Sequence, residues 1–277
     1  MSTLDVPGAQ LYYETRGSGP LMLMIPGANG DADAFGAVAD HLAAHHTVVT
    51  YDRRGFSRSR LDGPQDYDRR LETDADDARR LSEHLSDEPA TVFGSSSGGL
   101  VALELLARHP STVHTLVPYE PPAVKLLPDG QNWVDFFTEL YDLYRRSGIQ
   151  PALERFREEA FAEPDRQAMA ALRAKDPKKG KYLLANATYW FEHELRQYPA
   201  VELDVDVLTS HADRVVLAAG RESHGYPAHD ATVALGLRIG LDVIEMPGGH
   251  LGHVTHPGRF ADALVSALRL GGHGPKA

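Results

Sequence analysis

Cysteine is absent from the 277 residues. That excludes disulfides, a thiol nucleophile and zinc–thiolate centres, and it fits a reducing cytoplasm. Long hydrophobic runs are also missing, since none approaches the roughly 20 apolar residues that span a bilayer. The stretch Met1 to Gly17 lacks the basic patch and apolar core of a signal peptide. A soluble, cytoplasmic protein is the expectation, with no membrane partner. Positive charge is in short supply: 28 Lys and Arg face 39 Asp and Glu, a formal charge of −11. That balance disfavours nucleic acid and anionic membranes as partners. Four of the six lysines fall in one run, Lys175-Asp176-Pro177-Lys178-Lys179-Gly180-Lys181, which reads as a solvated loop. There is no repeat, no low-complexity tract, no G-x-G-x-x-G, no Walker loop and no H-E-x-x-H, so no nucleotide, flavin or metal cofactor is expected.

What remains is an ordinary globular composition, 42% apolar and 24% charged, in a length that suits one large α/β domain with room for an inserted subdomain. Strands are expected at Leu11–Thr15, Leu21–Ile25, Thr47–Tyr51, Ala90–Phe93 and Val113–Pro118, the second a wholly apolar run typical of a buried parallel strand. Helices are expected over Ala32–Ala44 and Glu72–Leu85, and from Leu100 until His109-Pro110 stops the pattern. This alternation predicts an open, mostly parallel, doubly wound sheet that binds ligands beyond the carboxyl ends of its strands. From 123 to 200 the pattern changes to helices alone, one of them carrying Trp133, Phe136, Phe137, Leu140 and Tyr144. Others run from Pro151 to Ala162, Arg166 to Ala174 and Tyr182 to Arg196. Residues 1–122 and 201–277 are therefore expected to form the core and 123–200 a helical cap. Alternation resumes with strand Arg214–Ala219, helix Ala228–Leu237, strand Leu241–Met246 and helix Pro257–Leu270.

The richest local pattern is Gly94-Ser95-Ser96-Ser97-Gly98, between an apolar strand and a helix. This is the context of a G-x-S-x-G nucleophile elbow, a turn so sharp that the positions two before and two after its centre must lack side chains. Only Ser96 has glycine at both distances, so Ser96 is the candidate nucleophile. A serine hydroxyl needs a base within hydrogen-bond reach. His250, in the glycine-rich loop Pro247-Gly248-Gly249-His250 after the last strand, is the best placed of 14 histidines. His253 and His256 follow at intervals of three, but glycines at 248, 249 and 252 favour a loop over a metal-binding helix face. His41 and His45 read as surface residues, and Asp52 and Arg53 as structural supports of a loop.

Four segments at the carboxyl ends of expected strands occur in an order that resembles the α/β-hydrolase superfamily: Ile25-Pro26-Gly27-Ala28-Asn29-Gly30, Tyr51-Asp52-Arg53-Arg54-Gly55, the elbow, and Pro247-Gly248-Gly249-His250. The resemblance covers nearly the whole chain and implies a capped α/β-hydrolase fold. It also implies an oxyanion hole from the backbone N–H groups of Ser97 and Ala28. Pro26-Gly27 stands where the family commonly has His-Gly, which alters the supports of that loop and not its main-chain donors. The family's usual acid position, three residues after Gly220, holds Ser223. Two carboxylates are candidates in its place: Glu120, at a strand end like the acid of haloalkane dehalogenases, and as the alternative Glu222. The aromatic residues Trp133, Phe137, Tyr144, Tyr189, Trp190 and Phe191 are expected mainly as cap core, one or two of them lining an apolar pocket.

The implied activity is that of a serine hydrolase acting on a carboxylic ester or lactone, a small-molecule substrate, through an acyl-enzyme. Cleavage of an activated carbon–carbon bond and perhydrolysis use the same residues. A non-catalytic binding protein is the alternative from another class. Dehalogenase and epoxide-hydrolase chemistry is disfavoured, because those enzymes carry a carboxylate where this chain has Ser96. Substrate identity and oligomeric state are left open by the sequence.

Overall fold

A computed structural model describes residues 2–175 and 179–270. The chain opens on a hairpin, β1 (Ser2–Val6) and β2 (Ala9–Arg16), which turns at Pro7-Gly8. Then come β3 (Leu21–Ile25), α1 (Gly36–Leu42), β4 (Thr47–Tyr51), a short β5 (Arg60–Leu61), α2 (Arg70–Leu85), β6 (Ala90–Ser95), α3 (Ser97–Arg108) and β7 (Val113–Tyr119). Among the described residues four α-helices follow without a strand: α4 (Gly130–Ser147), α5 (Ile149–Ala160), α6 (Glu163–Lys175) and α7 (Leu183–His193). The chain closes with α8 (Val205–Ser210), β8 (Ala218–Gly220), α9 (Pro227–Ile239), β9 (Ile244–Met246), α10 (Gly252–Thr255) and α11 (Pro257–Leu270). No described helix is long and apolar enough to cross a membrane.

One sheet carries the molecule, in the order β1-β2-β4-β3-β6-β7-β8-β9. All pairings from β4 to β9 along that order are parallel, and β1, β2 and β5 are antiparallel additions. Strand β3 shows why helices cover both faces. Its five residues Leu-Met-Leu-Met-Ile are all buried. Because successive side chains point to opposite faces, Leu21, Leu23 and Ile25 join one cluster with Ala78, Leu81, Leu100 and Leu103 of α2 and α3. Met22 and Met24 join the other with Val38 and Leu42 of α1 and Phe260 and Leu264 of α11.

Three expectations need correction. The helix expected over Ala32–Ala44 begins as a 3₁₀ turn, Ala32–Phe35, because Asp31 caps the N–H of Asp33 and starts a tighter turn. The strand expected over Arg214–Ala219 is regular only at Ala218–Gly220: residues Ala212–Arg214 form a 3₁₀ turn, and Val215 makes an isolated bridge to Leu116. Apolar content drives that segment inward without extending the ladder. The same holds for Leu241–Met246, where pairing starts at Ile244. Of the lysine run 175–181, residues 176–178 lie outside the described residues.

The helices between β7 and β8 have an aromatic core of their own, including Phe137, Trp190 and Phe191 with Phe56. They are joined to the sheet by buried charge. Arg53 ion-pairs with Asp74 of α2 at 2.6 Å and with Glu194, just after α7, at 2.8 Å. Arg70 reaches Glu194 at 3.2 Å, and the Tyr198 hydroxyl donates to Asp74 at 2.8 Å. Burial alone would raise the Asp74 pKa, but Arg70 and Arg53 override it and hold the carboxylate below its ordinary range. Removing one charge from such a buried set strands the others, at a cost of about 3–5 kcal/mol. Glu194→Gln should therefore lower the urea-unfolding free energy by about that amount, whereas Glu202→Gln, at an exposed pair with Lys125, should change it by less than about 1 kcal/mol.

Candidate active site

The elbow is built from backbone contacts too close for side chains. A Cβ on Gly94 would stand 2.2 Å from the Gly98 carbonyl oxygen, and one on Gly98 would stand 2.1 Å from that of Ile25. Between them Ser96 adopts φ 56° and ψ −124°, an uncommon conformation for a residue with a side chain. Such strain persists only where the surroundings over-determine it, as the N–H of Ser96 bonded to the Tyr119 carbonyl at 2.8 Å helps to do. The Ser96 side chain lies beside Gly27, where an added Cβ would stand 3.0 Å from Ser96 Cβ and 3.7 Å from its Oγ.

Strand register gathers the other candidates at the same edge. Ser95 pairs with Tyr119, Tyr119 with Ala218, and Gly220 with Met246. Ser96, Glu120 and the loop to His250 thus all leave the sheet at its carboxyl edge, on strands spaced about 4.8 Å apart. Glu120 is 1% exposed and has φ +46°. Its Oε1 accepts the N–H of Gly220 at 2.7 Å, and its Oε2 lies 2.5 Å from Nδ1 of His250. Glu222, by contrast, sits exposed in the turn after β8, with its N–H bonded to the Gly248 carbonyl at 3.0 Å. The structure brings Glu120, and not Glu222, to the imidazole. Ser223 is buried beside Glu222, and its hydroxyl has no hydrogen-bond partner.

Ser97 opens α3, where the first N–H groups of a helix have no intrahelical acceptor. Ala28 lies in a turn closed by the Gly30 N–H on the Gly27 carbonyl at 2.8 Å. Arg53 clasps that turn twice: its N–H donates to the Gly30 carbonyl at 2.9 Å, and its Nη2 to the Gly27 carbonyl at 2.9 Å. Asn186 of α7 adds a bond to the Asn29 carbonyl at 3.0 Å. Asp52 accepts from the Ala32 N–H at 2.8 Å and from Arg58 Nε at 2.6 Å, so it supports the neighbouring loop.

Among the described residues, the other histidines singled out in the sequence make no hydrogen bond to Glu120 or His250. His253 is buried among Phe35, Phe93, Tyr119 and Phe260. Burial, helped by the nearby His250, pushes its pKa down to about 3, so it packs as a neutral ring. His256 contacts the Thr255 hydroxyl at 2.9 Å, and His41 and His45 are exposed. Among the described residues no group of three His, Asp or Glu side chains is placed to hold a metal. Of the aromatic candidates, Phe137, Trp190 and Phe191 are buried in the helical core. The ring against His250 is one not singled out in the sequence: Phe161, edge-on at 5.0 Å. Phe156 lies 5.1 Å from Phe161, and Trp190 lies 5.0 Å from Phe156, which continues an apolar wall away from the imidazole. A second residue missed there is Asp165, whose carboxylate accepts the backbone N–H groups of His250 and Leu251. Glu163-Pro164-Asp165 does carry the acidic first turn and early proline of a helix start, but nothing local announces a partner 85 residues away.

A sheet of this topology, with a strained serine after one strand and a carboxylate–imidazole pair on the following loops, defines a hydrolase-type scaffold. The α/β-hydrolase-fold family model matches residues 20–257, and the chain belongs to that family. It is 38% identical over 271 residues to the uncharacterized hydrolase YraK of Bacillus subtilis, covering 96% of this chain and 95% of that protein. It is 27% identical over 273 residues to the zearalenone hydrolase of Cladophialophora bantiana, covering 96% and 95%. Among solved structures, a thermophilic esterase from Thermogutta terrifontis superposes with TM-score 0.77 at 19% identity, covering 98% of this chain and 99% of that one. The enol-lactonase from Burkholderia xenovorans gives TM-score 0.71 at 18% identity, covering 97% and 100%. These structural likenesses speak for the fold, and the family and its named relatives support a hydrolase.

Burial alone would depress the pKa of His250, but the hydrogen bond and charge of Glu120, with a smaller contribution from Asp165, outweigh it and raise the value. A raised histidine contributes stability that is complete below its unfolded pKa of about 6.5 and is lost as pH rises through the folded value. An NMR titration of the His250 ring should accordingly place its midpoint above about 6.5. In Glu120→Gln the midpoint should fall below the wild-type value, because burial then acts with little opposition.

Proposed function

We propose that the protein is a serine hydrolase of carboxylic esters or lactones, with Ser96 as nucleophile, His250 as base and Glu120 as the supporting acid. The observation that carries this reading is the 2.5 Å contact between Glu120 Oε2 and His250 Nδ1, at the sheet edge where Ser96 is held in a strained turn. A carboxylate on Nδ1 fixes the tautomer that leaves Nε2 free to accept a proton, and it stabilises the imidazolium that results. Ser96 Oγ attacks the carbonyl carbon while His250 takes its proton. The negative charge gathering on the carbonyl oxygen is met by the N–H groups of Ser97 and Ala28. Collapse of that intermediate expels the alcohol, protonated by His250, and leaves an acyl-Ser96. Water, deprotonated by the same imidazole, then releases the acid.

In this reading residues 123–200 form a cap over the site. Phe161 and the rings beyond it supply an apolar wall suited to an uncharged acyl or alcohol group, since apolar pockets orient ligands with few polar contacts. The hydrolase names among the sequence relatives support a hydrolase, and proteins named esterase and enol-lactonase share the fold. No bound cofactor is needed for any step.

Incubation with a fluorophosphonate followed by intact-mass measurement should add one phosphonyl group, located on Ser96 by peptide mapping. A panel of p-nitrophenyl esters and lactones of graded size should show turnover that Ser96→Ala lowers by about 10⁴-fold or more. Absence of any adduct on the folded wild type would sink the reading, and an adduct without turnover across the panel would favour the binding-protein alternative.

A further inference from the structure

His250 is restrained at two points by two different parts of the chain. Glu120, from the end of β7, holds its ring. Asp165, from the first turn of α6, holds its backbone: Oδ2 accepts the N–H of His250 at 3.0 Å and Oδ1 that of Leu251 at 2.8 Å. The Asp165 side chain can come this close only because residue 249 is glycine, where a Cβ would stand 2.4 Å from Asp165 Oδ2. Asp165 is 1% exposed.

The loop that carries His250 is poor at fixing its own shape. Gly248 has φ +84°, and Gly249 follows it. Two of its carbonyls are held from the sheet side, Gly249 by the Tyr119 hydroxyl and Gly248 by the Glu222 N–H, and the Gly252 N–H closes a turn on Gly249 from within the same stretch. The two N–H groups at the histidine itself are held by Asp165, on one of the helices between β7 and β8.

We propose that Asp165 is the positioning residue of His250: it ties the alignment of the base to the seating of α6 against the sheet edge, and it presents a second carboxylate to the imidazolium formed during proton transfer. This rests on the triad read above. A buried carboxylate is costly unless its oxygens are satisfied, and two charge-assisted bonds to N–H groups offset part of that cost. They do not offset all of it: burial leaves the Asp165 pKa raised, although the field of His250 pulls against that shift. The reciprocal field of Asp165 adds to that of Glu120 at His250. His253, neutral in its aromatic surroundings, also feels the field of His250, and Tyr119, whose pKa burial pushes far up, feels those of Glu120 and Asp165. The attraction between Asp165 and the ring therefore grows as the ring gains its proton, which is the kind of interaction that lowers a barrier without tightening substrate binding.

Asp165→Asn removes the charge and leaves one acceptor oxygen. The variant, with unchanged circular dichroism, should lose about 10- to 100-fold in kcat with KM little changed, the usual penalty for a slightly misplaced reacting group. The acidic limb of its kcat/KM profile should move to lower pH. An unmoved limb, whatever happens to kcat, would mark a scaffold contact only and overturn the proposal. Should Asp165→Asn lose its fold, Gly249→Ala tests the same contact, because its methyl group would stand 2.4 Å from Asp165 Oδ2 and must push the carboxylate away from His250. The acidic limb should again move to lower pH, and an unmoved limb in that variant would overturn the proposal. A wild type that neither labels at Ser96 nor turns over any ester fails at the triad itself, and a labelled, active wild type with an indifferent Asp165→Asn fails at Asp165 alone.

Discussion

The guanidinium of Arg53 is where three parts of the molecule are made to agree. It is fully buried, it is paired with Asp74 of α2 and with Glu194 at the end of the helical segment, and it donates to the Gly27 carbonyl in the turn beside Ser96. A buried ion pair is weak evidence of net stability, because desolvation consumes most of the attraction. Its value here is geometric. A planar fork with fixed donor directions accepts two carboxylates and a carbonyl in only one relative arrangement. A shift of Glu194 that broke the pairing would leave uncompensated charge in the interior. The place of α7 is thus tied to the place of the turn that carries Ala28.

A second constraint acts through main-chain volume. Helix α3 approaches the sheet so closely that Gly94 and Gly98 have no room for a Cβ, and the chain between them can turn only by putting Ser96 at positive φ. Glu120 is forced likewise to φ +46° before two prolines that stiffen its exit from β7. Both strained residues are polar, both lie on the same edge, and both are fixed by bonds from a neighbouring strand end: the Tyr119 carbonyl takes the Ser96 N–H, and the Gly220 N–H meets Glu120 Oε1. Strain of this kind costs on the order of 1–3 kcal/mol per residue and has to be repaid by the rest of the fold. The sheet core, filled on both faces through strands such as β3, supplies that reserve.

The parts of this arrangement that could be read from the sequence are those set by local rules. Period-two and period-3.6 apolar patterns located most strands and helices, and glycine spacing singled out Ser96 among three adjacent serines. Glu120 was legible as a carboxylate at a strand end stiffened by Pro121-Pro122, but its choice over Glu222 depended on which loop turns towards His250, and that is a tertiary fact. The hairpin partner β1 carried a Pro-Gly turn signal yet was too polar to stand out. The segment before β8 misled in the other direction, because Val215-Val216-Leu217 is apolar for burial and only partly for pairing. Arg53 looked like a loop support, with no hint that its partners would be Asp74 and Glu194. Phe161 and Asp165 were invisible as site residues for the same reason: their roles come from contacts with His250 across 89 and 85 positions of chain, and no local pattern encodes such distances.

The division of labour around His250 follows from these constraints. In the reading proposed above the ring must be held firmly enough to keep one tautomer, yet the loop that presents it is glycine-rich. The two conflict, since a chain that bends sharply at Gly248 and Gly249 has little stiffness of its own. The conflict is resolved by restraints from outside the loop. The sheet contributes Glu120 and the Tyr119 hydroxyl, which are as rigid as the strand they end. The helices contribute Phe161 on the ring and Asp165 on the backbone. In the same reading, a base held only from the sheet would be aligned whatever the position of the helices, and one held also from Asp165 and Phe161 is fully aligned only when those helices are seated.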